Sequence, residues 1–393
     1  MTSYPLHPVG LKAQALNFRA LPPLSLYIHI PWCVRKCPYC DFNSHEARNG
    51  LLEQEYVAAL TRDLEQALPQ IWGRKVYTVF IGGGTPSLLS ARAVEELLAA
   101  VRMLLPLDVN AEITLEANPG TVEAERFAGY RRAGVNRLSL GIQSKALGRI
   151  HDAAEARRAA GIARQHFDNI NLDLMYGLPQ QTLEEAEQDM RAALEFVPQH
   201  VSCYQLTLEP NTPFHRHPPA LPGEDASGEM GRQLEEFLVN CGYRHYETSA
   251  FAQPGKQSRH NLNYWQFGDY LGIGAGAHSK LSFPDRVVRQ ARHKQPQAYL
   301  DAVARGSPVQ EEREVGCRDL AFEFMMNALR LNGGFDETLF AERTSLPLLM
   351  LRRELEEAGR RGLLLRDLNR IAPTGLGQRF LNDLLQIFLP PEH

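Results

Sequence analysis

Cysteine is scarce, with six in 393 residues. That is too few for the disulfide scaffold of a secreted protein of this length. Long apolar runs are missing too. No stretch of about 18 apolar residues occurs, so no transmembrane helix is expected. Met1 to Ala20 lacks the basic-then-apolar design of a signal peptide. Basic runs of five or more are absent and the formal net charge is −4, which argues against nucleic acid as the main partner. Together these absences predict a cytoplasmic chain whose thiols stay reduced. At 44% hydrophobic residues, the chain can bury a substantial core, and its length allows one large domain plus a small one.

Half of the few cysteines stand together. The string Tyr27-Ile-His-Ile-Pro-Trp-Cys33-Val-Arg-Lys-Cys37-Pro-Tyr-Cys40-Asp-Phe-Asn holds three within eight residues, spaced C-x3-C-x2-C, directly after a short apolar run. Zinc would want a second ligand pair, and none follows at finger spacing. Haem attachment would want His after the second Cys of a C-x2-C pair, where Asp41 stands. Three thiolates on one loop can each take one iron of a [4Fe–4S] cluster and leave the fourth iron open to a small molecule. Cys33, Cys37 and Cys40 are therefore the candidate metal ligands. Cys203, Cys241 and Cys317 are scattered and read as packing residues.

This loop resembles the signature of the radical S-adenosylmethionine (SAM) superfamily. The wider string from Tyr27 to Asn43 is similar to the branch that contains the oxygen-independent coproporphyrinogen III oxidases and the HemW-type haem chaperones. The resemblance implies a [4Fe–4S] cluster whose open iron binds the amino and carboxylate groups of SAM.

From Leu24 onward, β-rich runs alternate with helical patterns. The predicted strands are Leu24–Ile30, Lys75–Ile81, Glu112–Ala117, Arg137–Ile142, Asn169–Met175, Val201–Leu208 and Tyr243–Ala250, with helices near 51–68, 88–104, 121–133, 153–166, 182–196 and 226–241. This is an α/β pattern with parallel crossovers. It fits either an open doubly wound sheet or an incomplete TIM-type barrel, and the resemblance favours a partial (β/α)6 radical SAM barrel. Both place ligands at the C-terminal ends of strands, where the polar and glycine residues of this chain fall. Gly82-Gly83-Gly84-Thr85-Pro86 permits close backbone approach to a ligand. It is not a G-x-G-x-x-G helix opening, so no dinucleotide site is assigned. By resemblance Gly83, Gly84 and Thr85 meet the SAM amino group and Glu116 its ribose, while Tyr27, Tyr39, Gln143, Arg149 and Asp173 line the same pocket. One departure occurs here: the loop that usually separates Gly-x-Gln-Ser from Leu-Gly-Arg-x-His is shortened between Gln143 and Arg149.

Pro210 to Gly223 reads as a loop over the barrel mouth, its His215 and His217 solvated. A second constellation follows at Arg259-His260-Asn261-Leu-Asn-Tyr264-Trp265, then at Gly272-Ile-Gly274-Ala-Gly276-Ala-His278. A histidine beside aromatic rings is commonly a packed core residue, although imidazole with flat rings also suits haem. The string matches the HNxxYW motif of HemW-type chaperones, and that resemblance makes His260 a haem ligand and closes the SAM pocket near Ala277 and His278. Residues 283–315 read as irregular. The organisation expected is a lead-in over 1–23, the barrel over 24–250, a connection over 251–312, and a mostly helical, winged-helix-like HemN-type domain over 313–393. Its interleaved Glu and Arg residues show no basic recognition face.

The resemblance leaves three functions to weigh. The first is a haem chaperone that binds haem and hands it to acceptor proteins, respiratory enzymes among them, with peripheral contact to a membrane. The second is an oxygen-independent coproporphyrinogen III oxidase, and the third a non-enzymatic Fe–S module. The oxidase carries one more cysteine two places after the third, where this chain has Phe42, and a longer N-terminal segment. Both signs and the HNxxYW string favour the chaperone; whether the chain is an enzyme stays open.

Overall fold

The strand that ends at the cysteine loop, β1 (Leu24–Ile30), is buried on both faces, as a central strand covered by helices on one side and a filled interior on the other must be. The computed structural model describes residues 16–47, 50–119, 123–142 and 153–390. After β1 the chain runs through α1 (Glu53–Ala67), β2 (Val76–Gly83), α2 (Ala91–Leu104), β3 (Leu107–Ala117), α3 (Glu123–Ala133), β4 (Arg137–Gly141), α4 (Ala153–His166), β5 (Ile170–Tyr176), α5 (Leu183–Leu194), β6 (His200–Gln205) and α6 (Glu224–Asn240). Strands β1 to β6 pair in sequence order, all parallel. These are the six βα units expected. α5 shows why its boundary was readable: Thr182 and Glu185 form a reciprocal capping box at its start.

The sheet then extends at both edges. β7 (Arg244–Glu247) and β8 (Ala250–Ala252) add antiparallel beyond β6. After the short helix α7 (Arg259–Trp265), β9 (Asp269–Ile273) pairs parallel with β1 on its other side. β10 (His278–Ser282), β11 (Val287–Arg292) and β12 (Val309–Glu314) follow antiparallel, with α8 (Pro296–Ala304) between the last two. The twelve-stranded sheet has the order β12-β11-β10-β9-β1-β2-β3-β4-β5-β6-β8-β7 and leaves its two ends unpaired with one another. It is an open, partial barrel. The expected irregular stretch at 283–315 is thus corrected: it holds two strands and a helix. Its strands are edge or near-edge ladders rich in Arg and Glu, the charged composition that protects a sheet edge and hides it from a search for apolar alternation. The run at 243–250 is two short strands, and β3 begins five residues before Glu112.

Two apolar cores form. One lies between the barrel strands and helices α1 to α6. The other joins Leu16 and Phe18 to Phe267, Val287 and the C-terminal residues from Val315 to Phe388. The C-terminal part carries helices Cys317–Ala328, Glu337–Thr344 and Arg352–Arg360 and a hairpin of Leu364–Asp367 with Arg370–Pro373, a helical unit with a wing as expected. Its first helix spans the gap in the barrel. Glu323 binds Arg289 of β11 at 2.6 Å and Arg313 of β12 at 3.2 Å. Just past that helix, the Arg330 carbonyl accepts from Thr248 N at 3.0 Å, and Asn332 N donates to Tyr246 of β7 at 3.2 Å. The two open edges are held by this helix and by the turn that follows it.

Candidate functional site

The C-terminal end of β1 enters a two-residue parallel ribbon, Trp32–Cys33 against His45–Glu46. His45 N donates to Pro31 O at 2.7 Å and Ala47 N to Cys33 O at 3.0 Å. The cysteine loop between is therefore clamped at its base. Cys33, Cys37 and Cys40 are all free and half-buried. The Ser44 hydroxyl lies 4.0 Å from Cys40 Sγ and also reaches Cys33, which Thr85 approaches from the β2 end; burial pushes the Cys33 and Cys40 thiols up. Among the described residues no three His, Cys, Asp or Glu side chains converge closely enough to hold a single metal ion. Pro38 O accepts from Phe214 N at 3.1 Å, and Tyr39 packs with Phe214, Leu178 and Leu206. The segment at 210–223 thus does lie over the mouth.

Around the loop, the strand ends supply a polar rim. Gly84 N donates to Ile30 O and Thr85 N to Trp32 O, both at 2.7 Å. Gly83 has φ +116°, which favours glycine, and its N–H donates to Glu116 Oε2 at 3.0 Å. Burial, with Glu116 nearby, pushes the Tyr27 phenol up, so it stays protonated. It bonds His29 Nδ1 at 2.9 Å, and His29 Nε2 donates to Asn43 O at 2.8 Å. Asp173 accepts from Ser139 Oγ at 2.7 Å and from Asn171 Nδ2 at 2.9 Å. Behind them Asn171 Oδ1 bonds His200 Nδ1 at 2.6 Å, and His200 Nε2 meets Tyr246 Oη at 2.8 Å. Tyr27, Gly83, Gly84, Thr85, Glu116, Asp173 and the three cysteines therefore gather at one end of the barrel. Gln143, Arg149 and the shortened loop lie outside the described residues.

His260 sits elsewhere. α7 plugs the barrel at the N-terminal end of its strands. The His260 and Arg259 backbone N–H groups donate to the two Glu112 carboxylate oxygens at 3.1 and 3.2 Å. The imidazole is fully enclosed, with Nδ1 2.7 Å from Thr78 Oγ1 and Nε2 3.1 Å from Tyr264 Oη. Because the Thr78 hydroxyl donates to Ser25 Oγ, it accepts from Nδ1–H, and Nε2 accepts from the Tyr264 phenol. The ring packs on Phe80 at 5.0 Å, and burial lowers its pKa to about 3. Thr78 and Gly83 are five residues apart on β2, about 16 Å along a strand. In this arrangement both nitrogens of His260 are engaged, and iron could reach Nε2 only after Tyr264 moved away.

Tyr264 itself faces a cavity. This cavity, of 610 Å³, runs from the cysteine loop down the β1–β9 side, lined by Tyr27, His29, Lys36, Phe42, His45, Tyr264, Tyr270, His278 and Lys294 among others. Its size falls within the range of small-molecule and cofactor sites. Asn43 closes its wall by donating to Ala275 O and Lys294 O, both at 2.9 Å. A Cβ on Gly276 (φ +80°) would fall 2.2 Å from the Asn43 amide, so only glycine fits there. Sequence reasoning missed Asn43, Ser44, His45, Tyr270 and Lys294; Asn43 and Lys294 could not be found because they meet only across 251 residues of chain.

Comparison with known proteins agrees with this geometry. The radical SAM superfamily matches residues 27–193, and the HemN C-terminal domain matches 318–380. The chain is 50% identical over 377 residues to "Heme chaperone HemW" of Escherichia coli K12, across 94% of this chain and 99% of that protein. The chain belongs to the HemW family. A second HemW, from Haemophilus influenzae, is 48% identical across 95% of this chain and 99% of that protein. A mouse relative, "Radical S-adenosyl methionine domain-containing protein 1, mitochondrial", is 35% identical across 93% and 87%. The solved coproporphyrinogen III oxidase HemN of Escherichia coli superposes with a TM-score of 0.79 at 23% identity, over 94% of this chain and 90% of that one. That likeness shows the shared fold alone. Membership of the radical SAM superfamily brings a [4Fe–4S] cluster and SAM as cofactors. Among the described residues no helix is long and apolar enough to cross a membrane.

Proposed function

We propose that this chain is a haem chaperone: it binds haem and passes it to acceptor proteins, with a SAM-binding [4Fe–4S] cluster at the barrel mouth. The observation that carries this reading is 50% and 48% identity to two HemW proteins along nearly their whole length. The cavity beside the cysteine loop is lined by tyrosine rings, imidazoles and two lysines together with Asp41, Gly83 and Glu116, so it is continuous with the SAM pocket. Cys33, Cys37 and Cys40 hold the cluster, and its open iron binds SAM. Gly83, Gly84 and Thr85 present backbone to the SAM amino group, and Glu116 faces its ribose. Asp173, Tyr27, Tyr39, Gln143 and Arg149 complete that pocket. When bound, the cluster and SAM supply one-electron chemistry; the chain supplies position and shelter.

His260 takes part in haem binding. Its nearest route to the ligand is Tyr264, whose ring it holds against the cavity. Acceptors include membrane-bound respiratory enzymes met from the cytoplasm, at a membrane surface visited peripherally.

The test is anaerobic. Reconstitute with iron and sulfide, then titrate haem, and separately add coproporphyrinogen III with SAM and a reductant. Stoichiometric haem uptake without protoporphyrinogen is expected. Conversion of the porphyrinogen would make the chain an oxidase despite Phe42. Cys37→Ala is expected to remove the visible absorption of the cluster; an unchanged spectrum would refute that ligand.

A further inference from the structure

We propose that Asn43 is a positioning residue for SAM: it fixes the Cys40 end of the cysteine loop against the turn at 274–276 and so sets the loop's place relative to the pocket. The inference rests on the SAM reading above and adds a residue to it.

The ribbon at the base of the cysteine loop ties it to its own strand. That clamp does not say where the loop lies relative to the far wall of the cavity, which includes Gly276 and His278. Asn43, three residues after Cys40, supplies the missing bond. Its Nδ2 donates to Ala275 O and to Lys294 O, both at 2.9 Å, so both amide hydrogens are engaged. Its backbone carbonyl accepts from His29 Nε2 at 2.8 Å, and His29 Nδ1 accepts from the Tyr27 phenol at 2.9 Å. One residue thus meets the cysteine loop, the turn and, through His29, the pocket residue Tyr27.

The turn it grips is a fixed reference. Gly274 N donates to Asp63 Oδ2 at 3.2 Å, Ala275 N to Tyr56 Oη at 2.8 Å and Gly276 N to His293 O at 2.8 Å. Tyr56 Oη donates in turn to His29 O at 2.9 Å. Asp63 is held by Tyr299 Oη at 2.9 Å and by Arg292 at 3.3 Å. Tyr56, Asp63 and Arg292 are all buried, so the turn is bolted to α1 and β11. Without the Asn43 amide, the Ala275 and Lys294 carbonyls would lose that donor, and the Cys40 end of the loop could shift against Gly83 and Glu116. A displacement of about 1 Å is enough to spoil a site.

The experiment uses the reconstituted full chain, as wild type, Asn43→Ala, Asn43→Asp, Gly276→Ala and, as a control in the other core, Leu16→Ala. Each is read for iron and sulfide content, thermal midpoint, SAM affinity by equilibrium dialysis, and the change SAM causes in the electron paramagnetic resonance spectrum of the reduced cluster. Wild type is expected to bind SAM and show that change. Asn43→Ala is expected to keep its cluster and bind SAM about tenfold or more weakly, with the spectral change reduced. Asn43→Asp, whose carboxylate offers the two carbonyls no donor, is expected to bind no better. Leu16→Ala is expected to lower the thermal midpoint with SAM affinity unchanged. Should the Asn43 variants lose the cluster, Gly276→Ala carries the test. It leaves the cysteine loop's own sequence intact, sets a Cβ 2.2 Å from Asn43 Nδ2, and is expected to weaken SAM in the same way. Wild-type affinity and spectral change in the cluster-loaded Asn43 variants, or in Gly276→Ala where it carries the test, would overturn the inference. So would an equal loss of affinity in Leu16→Ala. Wild type that loads its cluster yet binds no SAM would instead sink the SAM reading, and this assignment with it.

Discussion

Gly84 shows how tightly single residues are set at the mouth. A Cβ there would fall 2.5 Å from the Trp32 carbonyl oxygen, a backbone atom that cannot swing aside. Gly84→Ala should therefore push the glycine segment off the cysteine loop. The expected loss is about 1–3 kcal/mol, read as a lower urea midpoint, together with weaker SAM binding. His260 makes a second prediction, on pH. Its folded-state pKa lies near 3, below the unfolded value of about 6.5. Between those values the unfolded chain binds a proton that the native chain refuses, so stability falls as pH falls. The slope is about 1.4 kcal/mol per pH unit from this group, and His200, also pushed well below its ordinary value by burial, adds to it. Urea melts from pH 7 to 4.5 should show that slope reduced in His260→Gln. A slope identical to wild type would mean that the ring is not enclosed. At this scale the cysteines were legible because a cluster demands its ligands on one contiguous loop. Asn43 was not, because its partners Ala275 and Lys294 are brought near only by the fold.

Among the elements, the strands of the barrel were readable because each is buried on both faces and bounded by a helix. The outer strands were not. β12, Val309-Gln-Glu-Glu-Arg-Glu, carries no apolar face and is almost wholly exposed. Its place is set by pairing with β11 and by Glu323. That carboxylate is largely buried and grips Arg289 and Arg313 together. Glu323→Gln should cost about 2 kcal/mol and loosen the C-terminal helix from the β11–β12 edge. Hydrogen exchange would report this as faster exchange of the β11 and β12 amides, with those of β3 and β4 unaffected. Uniform exchange across all strands would argue that Glu323 is not a local fastener.

For the whole molecule, the open barrel and its two cores follow from one design. Parallel strands need covered faces, and a sheet that does not close needs something across its gap. The C-terminal unit fills that role, which explains why it was predicted as a separate domain yet shares its apolar core with Phe267 and Val287. Double substitution Leu16→Ala and Phe18→Ala should lower the thermal midpoint through this second core. It should leave cluster loading intact, since Cys33, Cys37 and Cys40 belong to the other body of the fold.

Leu16 and Phe18 also set a schedule. They are made early and come to rest among residues made late, from Pro284, whose carbonyl accepts from Phe18 N at 2.9 Å, to Phe388. On a ribosome adding about 5–20 residues each second, that early strap waits some tens of seconds before its partners emerge. The barrel units, each built from neighbours in sequence, can pair meanwhile. The nascent chain thus has an assembled mouth before it has a clasp, and an interval in which a large group could enter from the open side.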